Sequence, residues 1–266
     1  MNKFNKQPIG VFDTGVGGLT IFKEIRKKFP FENIIYFGDN AHCPYGNKSK
    51  FKIINLTKSI VQFLIKERCK IIIVACNTAT ASSIEYLRQN YEIPFIGMEP
   101  AIKPAALNTI SGNIGILATK GTFDGELYNS TREKYTNNVN VHISIGEGLV
   151  ELVESGKMNS QSSIKLLKKY ISPMLSKNID TLVLGCTHYP ILKEQIKKIT
   201  GNKVKLIDST KAIAERLLSI IPNPETKTKG TDIFYVSGEV KKFKKIGEMI
   251  IEHSIKNISK TKLEVK

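Results

Sequence analysis

Residues Thr181–Pro190 read TLVLGCTHYP. Four apolar or β-branched residues, Thr181 to Leu184, run into Gly185, then Cys186, Thr187 and His188, and Pro190 can open a helix. An apolar run closed by glycine before a helical pattern reads as a buried strand passing into a helix. Cys186 is therefore expected at the carboxyl end of a strand, facing the positive end of a helix, where α/β proteins place ligands. Ile71–Ala81, IIIVACNTATA, has the same layout, with Cys76, Asn77 and Thr78 at its turn.

Around these two turns the chain alternates strands with helices. Strands are expected at Ile9–Asp13, Asn33–Gly38, Ile71–Ala75 and Pro94–Gly97, with helices at Leu19–Phe29, Lys48–Glu67 and Thr80–Asn90. The pattern restarts near Met98. A helix at Ile102–Asn108 precedes strands at Asn113–Ala118, Val139–Ile145, Thr181–Leu184 and Lys203–Ile207. Helices are expected between them at Phe123–Tyr135, Gly146–Gly156, Ser162–Ser176 and Ile191–Lys198. A helix at Thr210–Ser219, a polar linker at Pro222–Gly230, a strand at Asp232–Val236 and a helix at Glu239–Ile255 close the chain. Strands alternating with helices of ten or more residues indicate parallel βαβ units. The echo between the two cysteine turns predicts two pseudo-symmetric α/β halves with mainly parallel sheets.

Length and composition narrow the function classes. The 266 residues, 41% of them hydrophobic, suffice to bury a sizeable core. No apolar run approaches the roughly 18 residues of a spanning helix, so no membrane partner is expected. The start, MNKFNKQPIGVFDTG, lacks the apolar stretch of a secretory signal. Four cysteines at irregular spacing, Cys43, Cys69, Cys76 and Cys186, form neither a disulfide framework nor a zinc pattern. His42–Cys43 has no companion ligands spaced around it, so no metal site is expected. Two thiols at strand ends suit a reducing, cytoplasmic setting. The formal charge of +16 would suit nucleic acid, but the lysines are spread along helical faces, and no aromatic stacking motif or arginine-rich arm accompanies them. Charge alone speaks to solubility and non-specific binding. Nucleic acid is therefore not the expected partner.

Chemistry concentrates in the turns. In DTGVGGLT, Asp13–Thr20, three glycines leave backbone N–H groups open to an anion at a helix start, although the pattern is neither a Walker A loop nor GxGxxG. Asp13 could meet an ammonium or assist a base; its structural alternative is a helix cap. HCPYG, His42–Gly46, offers a hydroxyl and a free amide in what could also be an ordinary turn. A free cysteine is usually a small core hydrophobe, the reading for Cys69. Cys76 and Cys186 differ because polar residues follow each at once. Glu151 and Glu154 are spaced to share a helix face, and a solvated acidic face is the simplest reading of Glu151. His188, two residues beyond Cys186, could cap, pack or serve it. The residues leave two readings open: an isomerase with a base on one face of a carbon and an acid on the other, or a cysteine–histidine nucleophile.

Taken together and in this order, GVFDTGVGGLT, YFGDNAHCPYG, ACNTATA, LVESG and GCTHYP closely resemble the glutamate racemases of the cofactor-independent Asp/Glu racemase family. The resemblance runs through FYVSG, Phe234–Gly238. It implies two α/β domains, 1–97 with 209–266 and 98–208, with the active site between them. It implies interconversion of L- and D-glutamate without a cofactor, supplying D-glutamate for peptidoglycan precursors, and leaves room for a homodimer. Cys76 and Cys186 correspond to the two acid/base thiols. Asp13 corresponds to an assisting residue near Cys76, and Glu154 with His188 to assistants near Cys186. The implied substrate contacts are Asp13, Thr14, Tyr45, Gly46, Asn77, Thr78, Thr119, Thr122, Thr187 and His188. The chain departs from the family pattern in Thr14, usually serine, and in Asn40, His42 and Cys43, usually Thr, Arg and an apolar residue. The segment before Glu154 also lacks the family's prolines.

Overall fold

The computed structural model describes residues 7–221 and 228–263. Residues 222–227 of the expected linker lie outside the described residues. The first unit is β1 (Ile9–Asp13), α1 (Leu19–Lys28), β2 (Ile34–Gly38), α2 (Lys50–Lys66), β3 (Ile71–Val74), α3 (Asn77–Asn90) and β4 (Phe95–Gly97). After α4 (Ile102–Asn108) come β5 (Asn113–Ala118), α5 (Lys120–Phe123), α6 (Glu126–Tyr135), β6 (Asn140–Ile145), α7 (Leu149–Glu154) and α8 (Gln161–Leu175). There follow β7 (Thr181–Gly185), a 3₁₀ turn at Tyr189–Leu192, α9 (Lys193–Thr200) and β8 (Lys205–Ile207). Next come α10 (Thr210–Ile220), β9 (Asp232–Val236), α11 (Val240–Ile251) and β10 (Ile258–Lys260).

The strands form two sheets. One has the order β10-β9-β2-β1-β3-β4, the other β6-β5-β7-β8, and the described pairings are parallel. Counted within each unit, both sheets run second, first, third, fourth strand. β3 and β7 are thus equivalent third strands, and Cys76 and Cys186 both lie just beyond their carboxyl ends. In such sheets ligands bind outside the carboxyl ends, where the strand order reverses. β1, β2, β3 and β7 are buried throughout, as parallel strands covered by helices on both faces must be. One apolar cluster runs from Ile9, Val11 and Ile73 of the first sheet to Leu117, Leu182 and Leu184 of the second. Among the described residues no helix is long and apolar enough to cross a membrane.

Five elements differ from the sequence expectation. The helix expected over Phe123–Tyr135 is two helices, because Gly125 presses on α3: a Cβ there would lie 2.5 Å from that of Ala81. α3 begins at Asn77 rather than Thr80, since the Cys76 sulfur caps it by accepting the Ala79 N–H at 3.3 Å. Beyond Cys186 the chain makes a 3₁₀ turn around Pro190 before α9, so the two cysteine turns are not copies of each other. The last helix stops at Ile251, where Glu252 turns left-handed (φ 62°), and the short β10 extends the first sheet.

Candidate active site

The glycine-rich turn, the Cys76 turn and the Cys186 turn converge at the carboxyl ends of β1, β3 and β7. Cys76 and Cys186 are buried and line one cavity of about 20 Å³. Thr14, Tyr45, Gly46, Asn77, Thr78, Thr119, Thr187 and His188 also line it. Asp13, Glu154 and Thr122 stand behind this lining.

Cys186 and His188 share the β7 turn, with Sγ and Nδ1 3.8 Å apart. The other ring nitrogen, Nε2, lies 2.6 Å from Glu154 Oε1, at the end of α7. The same carboxylate oxygen accepts the Val16 N–H at 2.7 Å, tying the glycine-rich turn to the histidine. Close approach explains two of the glycines. A Cβ on Gly15 would fall 1.9 Å from Glu154 Oε1, and one on Gly17 2.5 Å from His188 Nδ1. Burial alone would lower the pKa of His188. The hydrogen bonds with Cys186, Cys43 and Glu154 and the Cys186 charge outweigh it and push the value well up. Glu151 on the same helix is exposed, as a solvated acidic face would be.

The Cys76 side is built differently. Burial and the Asp13 charge push its thiol well up, opposed by the Ala79 N–H. Asp13 is fully buried, accepts the Gly18 N–H at 2.7 Å and faces the Thr187 hydroxyl at 3.5 Å. Burial raises its carboxyl to about 6, against the His188 charge and the Gly18 and Thr14 N–H groups. Asp13 thus ties down the turn that leads into α1 while its charge acts on Cys76.

The remaining polar groups are of two kinds. The hydroxyls of Thr78, Thr119 and Thr122 form a chain, 2.7 Å and 3.0 Å long, that crosses from α3 to the β5 turn. Gly46 accepts the Gly121 N–H at 3.2 Å, a second link between the units. The Tyr45 hydroxyl is engaged by Asp39 at 2.5 Å, so its ring rather than its hydroxyl is what it offers the cavity. By contrast, the buried Asn77 Oδ1 has no hydrogen-bond partner among the described residues. A buried unpartnered amide costs free energy unless a ligand meets it.

Sequence reasoning missed Val150 of α7 and Pro44, both lining the cavity. Neither carries a polar signal that could have singled it out. It also gave Cys43 no part in the site, reading it within a turn and as half of a His42–Cys43 pair without companion ligands, yet Cys43 Sγ is 3.7 Å from the Thr14 hydroxyl.

Two sheets of the same strand order, with a cysteine beyond each matching strand end and one small cavity lined by both, define a two-sheet α/β protein. The chain belongs to the Asp/Glu/hydantoin racemase family, whose sequence model matches residues 11–217. The glutamate racemase of Herpetosiphon aurantiacus is 41% identical over 249 residues, 92% of this chain and 98% of that protein. The crystal structure of glutamate racemase from Francisella tularensis in complex with D-glutamate matches with a TM-score of 0.86 and 34% identity, over 98% of this chain and 100% of that one. The Escherichia coli glutamate racemase, in complex with L-glutamate and the activator UDP-MurNAc-Ala, matches with a TM-score of 0.84 and 32% identity, over 97% and 99% of the two chains.

Proposed function

We propose that this protein is a glutamate racemase that moves the Cα proton of glutamate between Cys76 and Cys186. The observation that carries the reading is the pair of cysteines at equivalent strand ends, both facing one small buried cavity. The identity with glutamate racemases over nearly the whole chain supports the choice of substrate.

In one direction a thiolate takes the Cα proton and the opposite thiol gives its proton to the other face of the carbon. The two sulfurs end with their protonation states exchanged, and the reverse direction or exchange with solvent restores them. The carbanion-like state needs donors aimed at the α-carboxylate. The N-terminus of α3 and the threonine hydroxyls are suited to supply them, and Asn77 Oδ1 is suited to accept from the substrate ammonium. On this reading Cys76 and Cys186 are the catalytic residues. Asp13 tunes the first, and Glu154 and His188 act on the second. Thr14, Tyr45, Gly46, Asn77, Thr78, Thr119 and Thr187 shape the substrate site, with Thr122 holding Thr119.

The proposed domain division is 1–97 with 209–266 against 98–208. It is supported by β9 and β10, which join the first sheet after the second is complete. A cavity of about 20 Å³ lies far below the roughly 300 Å³ at which small-molecule sites begin, so the domains must part to admit substrate. D-glutamate made here would feed the synthesis of peptidoglycan precursors. The cytoplasm, where thiols stay reduced, suits four free cysteines.

The test is solvent deuterium wash-in. The protein should place deuterium at Cα from either enantiomer without added pyridoxal phosphate. Cys76→Ala and Cys186→Ala should each abolish racemisation, and near-normal turnover in either variant would overturn the two-thiol scheme. A cysteine–histidine nucleophile would instead trap as a thioester mass adduct and would need one cysteine alone.

A further inference from the structure

The loop between β2 and α2 brings a third cysteine to the histidine side of the site. Cys43 Sγ, a carboxylate oxygen of Glu154 and a ring nitrogen of His188 all lie within 4.8 Å of one another. The three residues come from three separate segments, so local spacing in the sequence could not reveal them as a set. We propose that Cys43, Glu154 and His188 form a binding site for a thiophilic divalent cation of the zinc type, and that its occupation blocks the proton transfer served by Cys186.

The donor set is one thiolate, one imidazole and one carboxylate. The soft thiolate and borderline imidazole, beside one hard carboxylate oxygen, select zinc over magnesium or calcium, which prefer all-oxygen shells. Zinc bonds of about 2.0–2.3 Å hold tetrahedral ligand atoms roughly 3.3–3.8 Å apart, so movements of about 1 Å close the present triangle. Cys43 can make such a movement because it sits on a loop and is only half-buried. Three protein ligands leave the fourth position to water or substrate.

The site also has an entrance. A separate pocket of about 380 Å³ is lined by Cys43 and Glu154. Glu151 and Glu239 add two more carboxylates to its wall, against the single positive charge of Lys242. A pocket of net negative charge draws cations toward its floor. A cation can thus meet Cys43 and Glu154 from this pocket, while His188, which lines the closed cavity instead, completes the set from behind them.

Binding releases the Cys43 thiol proton and one imidazole proton of His188 to solvent, since a metal takes thiolate and neutral imidazole. It also takes over the Glu154 carboxylate and the His188 imidazole, which otherwise bond each other at 2.6 Å. Both groups are lost to Cys186, while Cys43 carries no proton to or from the substrate, although it hydrogen-bonds His188. Removing Cys43 takes away the thiolate ligand, and zinc inhibition measured against each variant's own uninhibited rate separates metal binding from any effect through His188.

The experiment uses the full-length protein with cobalt(II) as spectroscopic probe and zinc chloride as inhibitor. One equivalent of cobalt should produce thiolate-to-metal charge-transfer absorption in the near ultraviolet. Cys43→Val and Cys43→Ser should each lose that absorption, and Glu154→Gln should weaken cobalt binding by at least about 10–100-fold, the scale for groups one shell beyond the ligands. Zinc should inhibit racemisation of the wild-type protein at concentrations more than about tenfold below those needed in either Cys43 variant. Cobalt absorption that survives in both Cys43 variants, or equal zinc inhibition in all three proteins, overturns the proposal and assigns the metal to other cysteines. The inhibition arm rests on the racemase reading and the cobalt spectrum does not, so failure of one is distinguishable from failure of the other.

Discussion

Glu154 Oε1 stands 2.6 Å from His188 Nε2 and 2.7 Å from the Val16 amide nitrogen, so one carboxylate oxygen joins three segments of the chain. Glu154→Gln keeps the shape but loses the charge that holds the imidazole. The expected outcome is a fall in kcat of about 10–100-fold with KM little changed, since Glu154 stands behind the cavity lining. Steady-state kinetics with each enantiomer check this. A change confined to KM would assign Glu154 to substrate binding instead.

Gly17→Ala tests the packing of the same corner. The added Cβ would meet His188 Nδ1 at 2.5 Å and Thr187 Oγ1 at 2.6 Å, and buried side chains leave little room for either to yield. Displacing the imidazole by even 1 Å should lower kcat/KM by about 100-fold. The cost in stability should stay within about 1–3 kcal/mol, the usual range for overpacking. Activity and thermal melting measured on the same preparation separate the two effects.

The threonine chain predicts a milder result. Thr78→Val removes the hydroxyl that meets Thr119 across the two units at 2.7 Å while keeping the side-chain shape. Loss of a hydrogen bond worth about 0.5–1.5 kcal/mol corresponds to a KM increase of roughly 2- to 13-fold. Initial-rate measurements over a range of glutamate concentrations give the value directly.

Asp180 gives the fold a pH signature away from the site. Its carboxylate accepts the Ile110 and Ser111 N–H groups at 2.6 Å and 2.7 Å and the Thr109 and Thr181 hydroxyls at 2.8 Å and 3.0 Å. Burial pushes its carboxyl up, but these four bonds outweigh it and hold the value down at about 2, against an ordinary 3.8. A carboxyl depressed in the folded state stabilises above its unfolded pKa, and this contribution is lost as pH falls from about 4 through about 2. Asp180→Asn should therefore lower stability at neutral pH by about 1 kcal/mol, after discounting for solvent screening, and the difference should vanish near pH 2. Chemical denaturation of both proteins at several pH values tests it.

The buried strands were legible because a parallel strand covered on both faces is written as an unbroken apolar run, as in Ile71–Val74 and Thr181–Leu184. The turns after them were legible because polar residues directly after such a run are locally conspicuous. The residues left the paired use of Cys76 and Cys186 as one of two readings, and the resemblance chose between them. What stayed hidden depends on partners far along the chain. The Val16–Glu154 bond spans 138 residues, and the helix break at Gly125 comes from contact with Ala81. The start of α3 was placed late because a cysteine sulfur does the capping that serine or aspartate usually signals. β10 is three residues long, too short to show an alternating pattern.

The two thiols sit at equivalent strand ends but in unequal company: Cys76 accepts a helix N–H, and Cys186 faces an imidazole. On the proposed function this inequality meets a thermodynamic limit. L- and D-glutamate have the same free energy in water, so kcat/KM must be identical in the two directions whatever the site looks like. The difference between the two cysteines can appear only as matched changes in kcat and KM. One enantiomer would bind more tightly and turn over more slowly by the same factor, and that factor measures how unequal the two sulfurs are.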